Sequence, residues 1–167
     1  MKLDVGDIVV YGSHGAGPVT ARESKVVLGT RQEVVVLELT GGLRVKLPLE
    51  RAQELLRPLA TESDLSRVQK VLGADQAVSS DTWLKRQRES VATLNDGDPI
   101  GLARIIRDGA RREEARPSKG GISRLSVWER QIGAKARGLL STEIAFARSV
   151  EPEEANVWID RQLDQGR

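Results

Sequence analysis

Leu56-Arg57-Pro58-Leu59-Ala60-Thr61-Glu62-Ser63-Asp64-Leu65 is the stretch at which the chain changes its period. Before it, apolar residues come in short runs or in alternation, as strands require; after it they recur at three and four, as a helix requires. Thr61-Glu62-Ser63-Asp64 offers an N-cap, Leu65, Val68, Val71 and Leu72 share one face, and Gly73 suits the C-terminal end. A boundary near Ala60 therefore divides the chain into residues 1–59 and 60–167. The expected fold class is α+β in two domains, a small SH3-like or Tudor-like β barrel followed by an all-α bundle of about five helices.

Upstream of the boundary, Ile8-Val9-Val10-Tyr11 is a short apolar run and Val34-Val35-Val36-Leu37-Glu38-Leu39 a longer one. Gly12-Ser13-His14-Gly15-Ala16-Gly17-Pro18 reads as a tight loop before a strand from Val19 to Ser24, and Gly29 and Gly41-Gly42 mark two further turns. Leu43-Arg44-Val45-Lys46-Leu47 alternates strictly, so Leu43, Val45 and Leu47 are expected inside and Arg44 and Lys46 outside. Pro48 ends that strand, and a short turn or helical segment runs from Leu49 to Arg57-Pro58. Lys25, near the preceding hairpin, adds to a cationic outer edge suited to an acidic protein surface, although exposed lysines also serve only to block strand pairing.

Downstream, Ser79-Ser80-Asp81-Thr82 places four capping candidates before Trp83-Leu84-Lys85-Arg86-Gln87-Arg88. With Ser80 or Asp81 as N-cap, a helix to about Leu94 puts Leu84, Gln87, Val91 and Leu94 on its inner arc and Trp83 at the margin, reachable from outside. Lys85, Arg86 and Arg88 beside an accessible indole suit a phosphate backbone. Asp98-Pro99 starts a third helix that buries Leu102, Ala103, Ile105 and Ile106, and Arg116-Pro117-Ser118-Lys119-Gly120-Gly121 breaks it. Ser126-Val127-Trp128-Glu129 is a capping box opening a helix with Ile132, Ala136, Leu139, Leu140, Ile144 and Ala147 inward. Pro152-Glu153-Glu154 opens the last, with Ala155, Trp158, Ile159 and Leu163 inward. Trp128 and Trp158 read as core.

The net charge of +2 hides an asymmetry: Trp83 to Arg137 holds thirteen cations against seven anions. A regional surplus of this kind is expected where one face meets a polyanion, and equally on a solvated, salt-bridged helical surface. The chain has no cysteine, which rules out disulfides and thiolate metal sites and fits a reducing cytoplasm. Neither a secretory signal nor a membrane span is readable.

No catalytic constellation assembles. His14 is the one histidine and reads as a turn residue, so neither a zinc site nor a His-based triad is expected, and no cofactor either. The Gly12–Gly17 loop lacks the Gly-Lys-Ser/Thr ending of a phosphate-binding loop and leads into a strand. The expectation is a protein that is not an enzyme.

The order and spacing of these pieces resemble the CarD/CdnL family of bacterial transcription regulators, whose first domain is similar to the polymerase-interacting module of the transcription-repair coupling factor. The marks are Val5-Gly6-Asp7-Ile8-Val9-Val10-Tyr11 with His14-Gly15, the strand ending at Pro48, Leu56-Arg57, and Trp83 with its basic neighbours. Leu94 with Gly97-Asp98 follows, then Leu125-Ser126 with Glu129 leading to Ala134-Lys135-Ala136-Arg137. The resemblance implies a protein that docks on the RNA polymerase β subunit through its barrel and on promoter DNA through its helical domain, with little sequence preference; a monomer is expected. It puts the polymerase contacts on Lys25, Val27 and Lys46, a minor-groove wedge on Trp83, and DNA-backbone cations on Lys85, Arg88 and Arg130. It further implies stabilisation of the open promoter complex at the upstream edge of the bubble. The alternative is an adaptor on RNA polymerase whose basic face meets an acidic protein and never touches DNA.

Overall fold

In a computed structural model, residues 1–75, 81–115 and 125–166 are described. The chain divides into two compact units, Met1–Leu59 and Ala60–Arg167. The first holds strands β1 (Ile8–Val10), β2 (Ala16–Val27), β3 (Thr30–Leu39), β4 (Leu43–Pro48) and β5 (Arg57–Pro58), with helix α1 (Leu49–Leu55) between the last two. They form an antiparallel sheet in the order β4-β3-β2-β1-β5. β3 is paired on both sides, and its run Val34, Val35, Val36 and Leu37 is buried throughout. Leu3, Val9, Val19, Val35, Leu37, Leu39, Ala52 and Leu56 make one core cluster, against which Tyr11, Val45, Leu47 and Leu49 pack.

Two local expectations change here. The loop before β2 is shorter than the glycines suggest: Gly12–His14 is a single 3-10 turn, and Gly17 and Pro18 already pair with Val9 and Ile8. Gly17 is required by proximity, since a Cβ there would lie 2.0 Å from the Glu38 carbonyl oxygen. In β4, Val45 and Leu47 face the core while Arg44 and Lys46 are exposed, but Leu43 is exposed as well. It pairs with Leu39 at the very end of the ladder, where the turn leaves it uncovered.

The second unit holds α2 (Glu62–Leu72), α3 (Trp83–Asp96), α4 (Pro99–Ala115), α5 (Val127–Arg148) and α6 (Pro152–Gln165). Each start has a local cause. Thr61 with Asp64 and Ser126 with Glu129 form complete capping boxes, each contribution typically about 1 kcal/mol. Asp98 Oδ2 accepts from the Gly101 N–H at 2.9 Å, and Pro152 occupies the first turn of α6. Leu65, Val68 and Leu72 of α2 pack with Leu102, Ala103 and Ile106 of α4, Ala136, Leu140 and Ile144 of α5, and Ala155, Ile159 and Leu163 of α6.

Polar groups inside this bundle tie its elements together. Glu143 is buried on α5 and its Oε1 accepts from the Ala60 N–H at 2.8 Å. Arg111 is buried on α4 and donates to the carbonyls of Leu72 at 3.4 Å and Leu163 at 3.1 Å, at the C-terminal ends of α2 and α6, where the negative end of each helix dipole attracts a cation. Among the described residues, no helix is long and apolar enough to cross a membrane.

Candidate functional site

α3 begins at Trp83, with Thr82 as the N-cap: its side chain accepts from the Lys85 N–H at 3.3 Å. The expected caps one and two residues earlier are displaced because Thr82 takes the extended backbone of a cap; Ser79 and Ser80 lie outside the described residues. Gly97, left-handed at φ 67°, ends the helix with its N–H on the Thr93 carbonyl.

The inner arc expected for α3 is corrected. Leu84 and Val91 are exposed, and among the described residues Leu94 is the only buried member of the helix. The residues that face α4 and α5 are Trp83, Arg86, Ser90 and Thr93, which line a cleft of about 380 Å³ with Gly101, Arg104 and Arg112 of α4 and Trp128, Glu129 and Ile132 of α5. The arc is turned by about 100° from the apolar one, because ion pairs and an aromatic contact, rather than apolar burial, seat this helix. Trp83 thus lies on the facing arc yet remains 48% exposed, since it occupies the first turn and overhangs the cleft.

Trp128, expected in the core, is at the cleft instead. Its ring meets that of Trp83 edge-on, with centroids 6.0 Å apart and planes at 66°. That is the geometry favoured by the opposed charge of ring edge and ring face. Trp158 does pack against the core, with the Arg148 guanidinium 4.8 Å above its ring.

Glu129 is the electrostatic hub beneath the two indoles. Its carboxylate accepts from the Ser126 N–H at 2.8 Å and from Arg112 Nη1 at 3.0 Å, and stands 3.7 Å from Arg86 Nη2. Burial opposes its ionisation, but the Ser126 hydrogen bonds and the Arg112 and Arg86 charges outweigh it, holding the carboxyl below its ordinary value. One side chain therefore joins the first turns of α3 and α5 to the end of α4.

The basic residues expected to meet DNA divide by position. Lys85 is exposed, 3.4 Å from Asp81 and 4.0 Å from Glu89. Arg88 is exposed and forms no ion pair among the described residues. On a helical projection these two fall about 200° and about 140° round from Trp83, on the outward flank of α3. Arg86 is turned inward to Glu129 and to the Asp81 carbonyl. Arg130 is exposed on α5, about 200° round from Trp128, so it is not gathered at the cleft. Arg104 is exposed at the cleft and was not singled out by sequence; its only signal was its place in the basic segment.

The regional charge needs correction too. Arg107, Arg111 and Arg112 are buried structural groups, so they add nothing to an outward basic face. Arg116, Lys119 and Arg124 lie outside the described residues, as does the expected break from Arg116 to Gly121.

In the first unit, Lys25 on β2 and Lys46 on β4 converge on one carboxylate: their Nζ atoms stand 3.6 Å and 3.5 Å from Glu23 Oε2. Val27 is exposed beside them at the end of β2, and Leu28 at the tip is fully exposed in a left-handed conformation, φ 53°. Glu23 was not foreseen, though its place two residues before Lys25 puts both on one strand face. The result is a cation pair next to an apolar hairpin tip. Among the described residues no cluster of His, Asp or Glu is suited to a metal ion.

Comparison with known families matches both units. The model described as the CarD C-terminal domain matches residues 67–160, and that described as the CarD-like/TRCF RID domain matches residues 3–60. The chain therefore belongs to the CarD family and is an RNA polymerase-interacting transcription factor.

Proposed function

We propose that residues 1–59 dock on the β subunit of RNA polymerase while residues 60–167 hold promoter DNA in its open form. The half-exposed indole at the start of α3 carries this reading. Presented end-on, Trp83 enters the minor groove at the upstream edge of the bubble and occupies the gap left by a separated base step. Lys85 and Arg88, on the outward flank of the same helix, meet the phosphates alongside, and Arg130 and Arg104 add charge at longer range. Arg86 acts from behind, through Glu129. Contact to backbone and stack, without base-edge readout, leaves little sequence preference.

The wedge shifts an equilibrium by fitting open DNA better than relaxed duplex. Unstacking costs a few kcal/mol per step, so the DNA surface is weak alone and depends on docking to raise its local concentration. The cation pair Lys25 and Lys46, with Val27 beside it, is the docking edge in this reading. The protein acts as a monomer in the bacterial cytoplasm and has no enzymatic step.

The test is the lifetime of the open complex with Trp83→Ala. Loss of one base–indole stack shortens that lifetime about tenfold. An unchanged lifetime, with polymerase binding intact, refutes the wedge.

A further inference from the structure

Trp83 sits on a helix that the bundle holds weakly at that end. Among the described residues α3 buries only Leu94, eleven positions further on, and Leu84 beside Trp83 is exposed. What holds the first turn is the first turn of α5. Two adjacent residues there grip two residues one turn apart on α3: Trp128 meets Trp83 edge-on at 6.0 Å, and Glu129 pairs with Arg86 at 3.7 Å. Glu129 is itself fixed by the Ser126 capping box and by Arg112, so the grip is anchored to α4 and α5 rather than to solvent.

An exposed indole on a loosely held turn samples several orientations, and ordering it on contact with DNA opposes binding. A second ring at its edge removes that freedom beforehand. Trp128 is poorly explained as core packing, because it is only half-buried and lies at the cleft rather than within the apolar cluster.

We infer that Trp128 is a positioning residue for the DNA wedge: its ring holds the Trp83 indole in the orientation that enters the bubble edge. The inference rests on the wedge reading above. It makes the working unit a pair of indoles contributed by two helices, with Glu129 as the ionic half of the same clamp.

The test uses the full chain with RNA polymerase and a promoter, and four variants: Trp83→Ala, Trp128→Ala, Trp128→Phe and the double alanine. Trp128→Ala is expected to shorten the open-complex lifetime about two- to tenfold, the scale of one aromatic pair. Trp128→Phe, which keeps a ring at the site, restores most of it. The double variant behaves as Trp83→Ala alone, because the second ring acts only through the first. Two indoles this close couple their transitions, so wild-type protein shows a far-ultraviolet circular dichroism couplet. Either single alanine abolishes that couplet, and Trp158→Phe leaves it in place. The inference is overturned if Trp128→Ala keeps the wild-type lifetime, or if its effect persists in full on the Trp83→Ala background. An unchanged lifetime in Trp83→Ala itself removes the wedge reading, and this inference with it.

Discussion

α3 and α4 are neighbours in sequence, separated by two residues, and are held in opposite ways. α4 buries Leu102, Ala103 and Ile106 in the bundle core, along with Arg107, Arg111 and Arg112. α3 buries Leu94 and otherwise rests on an ion pair and an edge-on ring contact. α4 is thus the element whose loss would unfold the unit, and α3 the one whose outer surface is free to meet a partner. A helix can be spared from the core only when a neighbour already supplies it, and α4 is that neighbour.

The contrast is broken most directly by truncation at equivalent apolar positions. Leu102→Ala is expected to lower stability by about 2–5 kcal/mol, read by denaturant titration, because it opens a cavity in packed surroundings. A loss below about 1 kcal/mol would show that α4 is not the scaffold.

Glu129→Gln comes next, with an expected loss of about 1–2 kcal/mol as the Arg86 and Arg112 pairs weaken. Its pH dependence sharpens the point. The folded protein holds this carboxyl below its ordinary value, so its ionised form contributes stability that is fully present above that ordinary value. The contribution is lost as pH falls through the lowered folded-state value. Wild type and Glu129→Gln should therefore converge in stability in acid and separate toward neutrality; parallel curves would mean that the charge does not seat α3. The smallest effect belongs to Leu84→Ala, within about 0.5 kcal/mol of wild type, since the side chain is already exposed.

Much of the fold was legible because its causes are local. The Thr61–Asp64 and Ser126–Glu129 boxes, Asp98-Pro99 and Pro152 set helix starts within a few residues, and spacing identified Leu65, Val68, Leu72, Leu140, Ile144, Ile159 and Leu163 as core. The orientation of α3 was not legible. Leu84 and Val91 of its most apolar arc are left outside while Leu94 alone is buried, and nothing within fourteen residues records that Glu129 waits for Arg86. For the same reason Trp128 reads as core by its spacing, and three buried arginines read as surface charge. At the hairpin, the outward direction of Lys46 followed from alternation, while its convergence with Lys25 on Glu23 needed the registers of β2, β3 and β4 together.

By itself, then, the sequence determined which halves are strand and helix, where the helices start to within a few residues, and that an indole with cations beside it opens α3. These depend on dihedral preference and spacing within a few residues. Only the tertiary structure decided which face of α3 turns inward, which cations remain free, and that Trp83 stands against a second indole. Those outcomes depend on charges and rings brought together from positions more than forty residues apart, and no local pattern encodes that meeting.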